Sequence, residues 1–104
     1  IYPKEIEDTV YAMQGVKECA VIPIADTKWG QVPALFVVFD DIDALGADLK
    51  MIVRDYLSSK LAKYKVPKYI TIMDALPRNG TGKIMRKSLA SNLDMTASNG
   101  GSHE

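Results

Sequence analysis

Cysteine and histidine are nearly missing from this chain, which has one of each, Cys19 and His103. A single cysteine closes no internal disulfide, and with one histidine it falls two ligands short of a tetrahedral zinc site. A disulfide scaffold and a zinc finger are therefore excluded. A lone thiol points to a reducing, cytoplasmic setting. Long apolar runs are also missing. The longest spans six residues, Ala34 to Phe39, against the roughly 18 that a membrane span needs, so no transmembrane segment is expected. No basic stretch followed by an apolar one opens the chain, so no signal peptide is expected. An initiator methionine is absent too. Ile1-Tyr2-Pro3 reads as the middle of a loop entering a helix, and the chain is expected to be a piece of a longer protein.

Net charge is zero, yet its distribution is not even. Residues 1–59 carry five basic and ten acidic side chains, whereas residues 60–87 carry eight basic and one acidic, Asp74. The second segment suits an anionic partner, or a helix face whose lysines are simply solvated. Nucleic acid is a poor fit, because aromatic residues are sparse among these cations and the rest of the chain is acidic.

What remains is ordinary globular composition, with 47% hydrophobic and 25% charged residues in 104 positions. That length fits one domain with one core. Pro3 suits a first helical turn, and Glu5, Glu7 and Asp8 place negative charge near the positive end of the helix dipole. Ile6, Val10 and Met13 form one stripe, and Gly15 ends the pattern, which predicts a helix over 3–14. Val16 to Ile24 predicts a strand with Cys19-Ala20-Val21-Ile22 buried on both faces. Asp26 to Gly30 predicts a turn, and Ala34 to Phe39 the strongest strand, placed centrally. Leu49, Ile52, Val53, Tyr56, Leu57, Leu61 and Tyr64 keep helical spacing behind an N-capping Asp48, which predicts a helix over 48–64 ended by Val66-Pro67. Tyr69 to Met73 alternates Tyr/Thr/Met with Ile/Ile and predicts a third strand. Ile84, Met85 and Leu89 predict a short last helix. The fold class is α+β, a small sheet of about three strands with helices packed on it in the order α-β-β-α-β-α. The domain is expected over 1–93, with a polar, disordered tail over 94–104.

One segment carries chemistry: Pro77-Arg78-Asn79-Gly80-Thr81-Gly82-Lys83-Ile84-Met85-Arg86-Lys87. Two glycines and an asparagine permit positive φ and let backbone N–H groups approach a ligand closely. Lys83 follows at the expected start of a helix, an arrangement that binds phosphate or carboxylate. It is not a P-loop, because Pro77 occupies the first glycine position and Ile84 follows the lysine. Pattern alone fits both an anion-binding loop and a surface turn with solvated cations.

The same residues resemble the last signature of the adenylate-forming (AMP-binding) enzymes, roughly Pro-Arg/Lys-Thr/Asn-x-Thr/Ser-Gly-Lys-Ile/Val-x-Arg, with every specified position matched. Ile1-Tyr2-Pro3-Lys4-Glu5-Ile6-Glu7 resembles the segment just after that family's interdomain hinge. Leu61 to Pro67 resembles the stretch before its last strand. Asp26 to Ala34 is similar to an Asp-x-x-x-Gly-Glu-x-x-x-Ala segment, except that Gln31 replaces the glutamate and Ala34 lies one residue nearer.

The resemblance implies a small C-terminal lid domain, most like that of the acyl-CoA synthetases, beside a large N-terminal domain absent here. It implies ATP and coenzyme A as substrates, a small carboxylic acid to be activated, and Mg2+ arriving with ATP and bound mainly by the large domain. The lid rotates between adenylation and thioester formation. Lys83 matches the catalytic lysine, and Gly80, Thr81 and Gly82 the loop that lets it reach nucleotide and acid. Lys83 is also a candidate for acetylation, which removes its charge. Arg86 is expected to hold the loop or meet the large domain. Lys65 and Lys68 are either contacts for the phosphates of coenzyme A or cations at a solvated strand entrance. Trp29 is either at the interface with the large domain or a cap on the core, with the core preferred. An adenylation domain that loads a carrier protein, and a non-catalytic anion-binding module, remain as alternatives.

Overall fold

In a computed structural model, residues 3–40 and 48–93 are described. The expected tail over 94–104 lies outside the described residues. Helix α1 spans Pro3–Tyr11 and buries Ile6 and Val10. It ends before the expected residue 14 because the ladder tightens. Ala12 N–H still reaches Asp8 O at 3.3 Å, but Met13 N–H turns to Val10 O at 2.9 Å, and Gly15 reverses the chain at φ +91°.

Strands β1 (Val16–Asp26) and β2 (Gly30–Phe39) pair antiparallel, from Val16↔Phe39 to Asp26↔Gly30. Both run further toward the turn than their apolar runs suggested, passing through the facing pair Pro23↔Pro33. Proline is tolerated there for a geometric reason. Every second residue of β1 aims its N–H away from β2, as Cys19 and Val21 do toward side chains of α1, so Pro23 forfeits no ladder bond. The turn Thr27-Lys28-Trp29 closes on the Asp26 carboxylate, which accepts the N–H groups of Lys28 at 3.2 Å and Trp29 at 2.9 Å.

Helix α2 spans Leu49–Lys60, with Asp48 accepting the Met51 N–H at 3.1 Å as the expected N-cap. It buries Leu49, Val53 and Leu57. The helix stops four residues short of the expected end, because Leu61 turns extended (φ −116°, ψ 152°) while keeping its side chain in the core. Lys63–Lys65 form a separate 3-10 turn. Strand β3 (Tyr69–Met73) then pairs parallel to β2, from Ala34↔Tyr69 to Val38↔Met73, giving the order β1-β2-β3 with β2 central. Helix α3 is short, Arg86–Ala90.

The mixed sheet is covered on both faces. Against α1 and α2 lie Val21, Leu35, Val37 and Ile70. On the opposite face Ala20, Ile22, Phe36 and Val38 pack with Leu76 and Leu89 of α3. The period-two alternation of each strand divides its side chains between these two layers.

Candidate functional site

The segment after Leu76 folds into a tight loop stitched by its own backbone. Arg78 and Ile84 form an antiparallel bridge, Asn79 N–H donates to Lys83 O at 2.9 Å, and Met85 N–H donates to Pro77 O at 2.8 Å. These bonds hold residues 83–85 extended, so α3 begins only at Arg86. Lys83 is thus not at a helix N-terminus, which corrects the expectation drawn from sequence. Neither is the loop a cradle of free N–H groups. The Asn79 side-chain oxygen accepts the Thr81 N–H at 2.9 Å, the Thr81 hydroxyl at 2.7 Å and the Lys83 N–H at 3.0 Å, while Gly82 N–H donates to Asn79 O at 3.0 Å. Three successive N–H groups therefore turn inward. Gly82 alone in the loop takes positive φ, at +87°; Asn79 and Gly80 do not.

Anion contact at this loop falls to side chains, and the cations differ in how they are occupied. Lys83 is exposed, and among the described residues its ammonium has no hydrogen-bond or ion-pair partner. Arg78 is committed twice, donating to Gly82 O at 2.7 Å and pairing with the Glu18 carboxylate on β1. Arg86 does not hold the loop; it donates to Val21 O at 3.0 Å and lies 3.5 Å from Glu7, tying α3 to β1 and α1.

Lys65 and Lys68 sit elsewhere, along a cleft of about 480 Å³ that Trp29, Gln31, Pro33 and Tyr64 also line. Lys65 pairs with Glu5 at 2.9 Å and Lys68 with Asp26 at 2.9 Å. The Lys68 contact and the Trp29 N–H hold the Asp26 carboxyl below the usual carboxylate range, and Asp26 in turn raises Lys68. Trp29 is 68% exposed and Tyr64 73% exposed. Of the two expected placements of Trp29 the core is excluded: the hairpin turn carries the ring outward, with Lys28 Nζ 5.1 Å from its centre.

Comparison with known proteins identifies the family. Residues 5–83 match the AMP-binding enzyme C-terminal domain. The chain belongs to that family. It is 52% identical over 89 residues to a 2-succinylbenzoate–CoA ligase of Lactococcus lactis, covering 86% of this chain and 18% of that relative. It superposes with a TM-score of 0.71 on a Mycobacterium tuberculosis fatty acyl CoA synthetase, at 39% identity over 86% of this chain and 17% of that one. The o-succinylbenzoate CoA synthetase of Bacillus subtilis, solved with its acyl-adenylate intermediate, gives a TM-score of 0.68 at 36% identity, over 86% and 17% of the two chains. The chain thus spans under a fifth of the length of these relatives.

Within this AMP-binding C-terminal domain, sequence reasoning missed Glu18 altogether and the roles that Arg78 and Asn79 take in shaping the loop. Asn79 carried a readable signal, since asparagine before Gly-Thr-Gly commonly turns its side chain onto nearby N–H groups. Glu18 carried none, because its partner lies 60 positions away. Cys19, the lone thiol, plays no part at the surface. Burial first, and the Glu7 charge second, push it up to about 12. Among the described residues no helix is long and apolar enough to cross a membrane.

Proposed function

We propose that this domain is the mobile lid of an ATP-dependent CoA ligase, and that Lys83 is the cation it delivers to the reacting acid and nucleotide. The observation that supports this most is the Lys83 ammonium, exposed and without a partner among the described residues, on a loop that turns the N–H groups of Thr81, Gly82 and Lys83 inward. In the first half-reaction a carboxylate oxygen attacks the α-phosphorus of ATP, the bond to pyrophosphate breaks, and an acyl-adenylate forms. Two anions must meet, and charge grows on the phosphoryl oxygens. A positioned ammonium offsets both effects and contributes about 3–4 kcal/mol, or 10²–10³ in rate. Among the described residues no cluster of three His, Cys, Asp or Glu side chains fits a metal ion. We assign to Lys83 the domain's share of the chemistry, and to the large N-terminal domain most of the binding of the Mg2+ that arrives with ATP.

In the second half-reaction the thiol of coenzyme A attacks the acyl carbon and AMP leaves. We assign the nucleotide end of coenzyme A to the cleft between Trp29 and Tyr64. Two exposed rings there suit an adenine face, and Lys68, with a side chain 47% exposed, can meet phosphate. Coenzyme A is preferred over a carrier protein because the relatives carry CoA ligase names. The cytoplasm, where both substrates occur, is the setting we assign.

The test is made in the complete protein, with 2-succinylbenzoate and fatty acids as the first acids assayed. Lys83→Ala should cut acid-dependent ATP–pyrophosphate exchange by about 10²–10³ and spare thioester formation from a supplied acyl-adenylate. Equal loss in both half-reactions would remove the assignment.

A further inference from the structure

We infer that Glu18 and Arg78 are positioning residues for the Lys83 ammonium, acting as a strut between the sheet and the loop. The inference rests on Lys83 being the adenylation cation.

Lys83 is attached to the Gly82 peptide, and the carbonyl of that peptide is held by Arg78 Nη1 at 2.7 Å. The other terminal nitrogen of the same guanidinium pairs with the Glu18 carboxylate. Glu18 is on β1, paired opposite Val38 of the central strand, beside the register shift between Val16 and Glu18. It precedes the buried run Cys19–Ile22, so its backbone cannot drift. Its side chain is 15% exposed, against 44% for Arg78, so the carboxylate is the fixed end of the strut and the guanidinium its reach. A planar fork with several donors can serve a carboxylate and a carbonyl at once in fixed relative directions.

Among the described residues the Glu18–Arg78 pair ties the loop to the sheet by charge, beside the apolar packing of Ile84 on the cluster of Ala20, Ile22 and Phe36. The Asn79 bonds and the Arg78–Ile84 bridge are internal: they fix the loop's shape but not its orientation. Orientation is what a cation needs if it must arrive at an α-phosphate when the lid closes, because a displacement of about 1 Å can cost around a hundredfold in rate. The strut contributes little to the core, since Glu18 and Arg78 both lie outside the two buried clusters. Removing it should therefore leave the fold in place and misdirect Lys83.

The experiment uses the complete protein and four variants: Glu18→Ala, Glu18→Gln, Arg78→Ala and the double variant Glu18→Ala/Arg78→Ala. Acid-dependent ATP–pyrophosphate exchange should fall about ten- to a hundredfold in Glu18→Ala and Arg78→Ala. Thioester formation from supplied acyl-adenylate should stay within about twofold, and the thermal midpoint should hold. Glu18→Gln keeps an acceptor for the guanidinium and should recover most of the exchange rate. The double variant should be no slower than Arg78→Ala alone, as expected of two groups acting through one contact. Normal exchange in Glu18→Ala, alongside loss in Lys83→Ala, overturns the strut and leaves the role of Lys83 intact. Normal exchange in Lys83→Ala overturns the reading on which the strut rests. Parallel loss of both half-reactions and of thermal stability in Glu18→Ala, unrepaired in Glu18→Gln, reduces Glu18 to a fold-supporting residue and also overturns the inference.

Discussion

Glu7 and Arg86, 79 positions apart in sequence, bring their side chains to 3.5 Å at the outer edge of β1. There they divide the two outward-facing groups of one residue: Glu7 accepts the Val21 N–H at 2.7 Å, and Arg86 donates to the Val21 carbonyl at 3.0 Å. The Tyr11 hydroxyl does the same for Cys19, accepting its N–H at 3.2 Å and donating to its carbonyl at 3.5 Å. An edge strand left open is a template for pairing with another chain, and here side chains of the first and last helices close it.

Glu7→Ala should destabilise this domain by about 1–2 kcal/mol, because a partly buried N–H loses a charged acceptor. Arg86→Ala should cost about half as much, its side chain being largely in solvent. The double variant should lose less than the sum of the two. Urea titration followed by circular dichroism checks all three, and strict additivity would show that the two residues act separately.

The Cys19 thiol should resist an aromatic disulfide reagent at pH 8 while the chain is folded and react fully in denaturant. Its folded value of about 12 lies above the ordinary 9.0. The stabilisation is therefore complete below about pH 9 and is lost as pH rises from there toward 12, because the unfolded thiol gives up a proton that the folded one keeps. A Cys19→Ala variant should show a shallower decline over that interval.

Gly82 and Gly80 should separate cleanly. Gly82 sits at φ +87°, where a side chain is strained even though nothing lies within 4 Å of its would-be Cβ. Gly82→Ala should cost about 1 kcal/mol and slow adenylation. Gly80 has the same open space and no positive φ, so Gly80→Ala should be close to neutral in both measurements.

Trp29→Ala should change stability by less than about 0.5 kcal/mol, as an exposed site does, whereas a core tryptophan would cost about 3–5. In the complete protein its effect should appear as a raised KM for coenzyme A, with exchange unaffected. A large loss of stability would contradict the outward placement of the ring.

Much of the fold could be read from residue spacing. The buried faces of α1 and α2, the Asp48 cap, the central place of β2 and the alternation in β3 all follow from periodicity and capping chemistry. What escaped depends on partners far apart in sequence. Strand β1 runs on past the expected Ile24 to Asp26, and β2 starts at Gly30 ahead of the expected Ala34, because Pro23 and Pro33 face each other in a suitable register. Leu61 kept helical spacing while leaving the helix, since burial selects for its side chain and not for its backbone angles. At the site, Lys83 was legible as a cation on a glycine-rich loop. The inward turn of the loop N–H groups depended on one asparagine oxygen, and the tether to β1 on a contact 60 positions long.

Closing β1 with side chains from both α1 and α3 has a consequence for synthesis on the ribosome. Leu89, fully buried against Ala20 and Phe36, and Arg86, seated on Val21, are among the last described residues to be made. Until they clear the exit tunnel, one face of the sheet and part of its rim stay bare, so the domain cannot finish folding before they emerge.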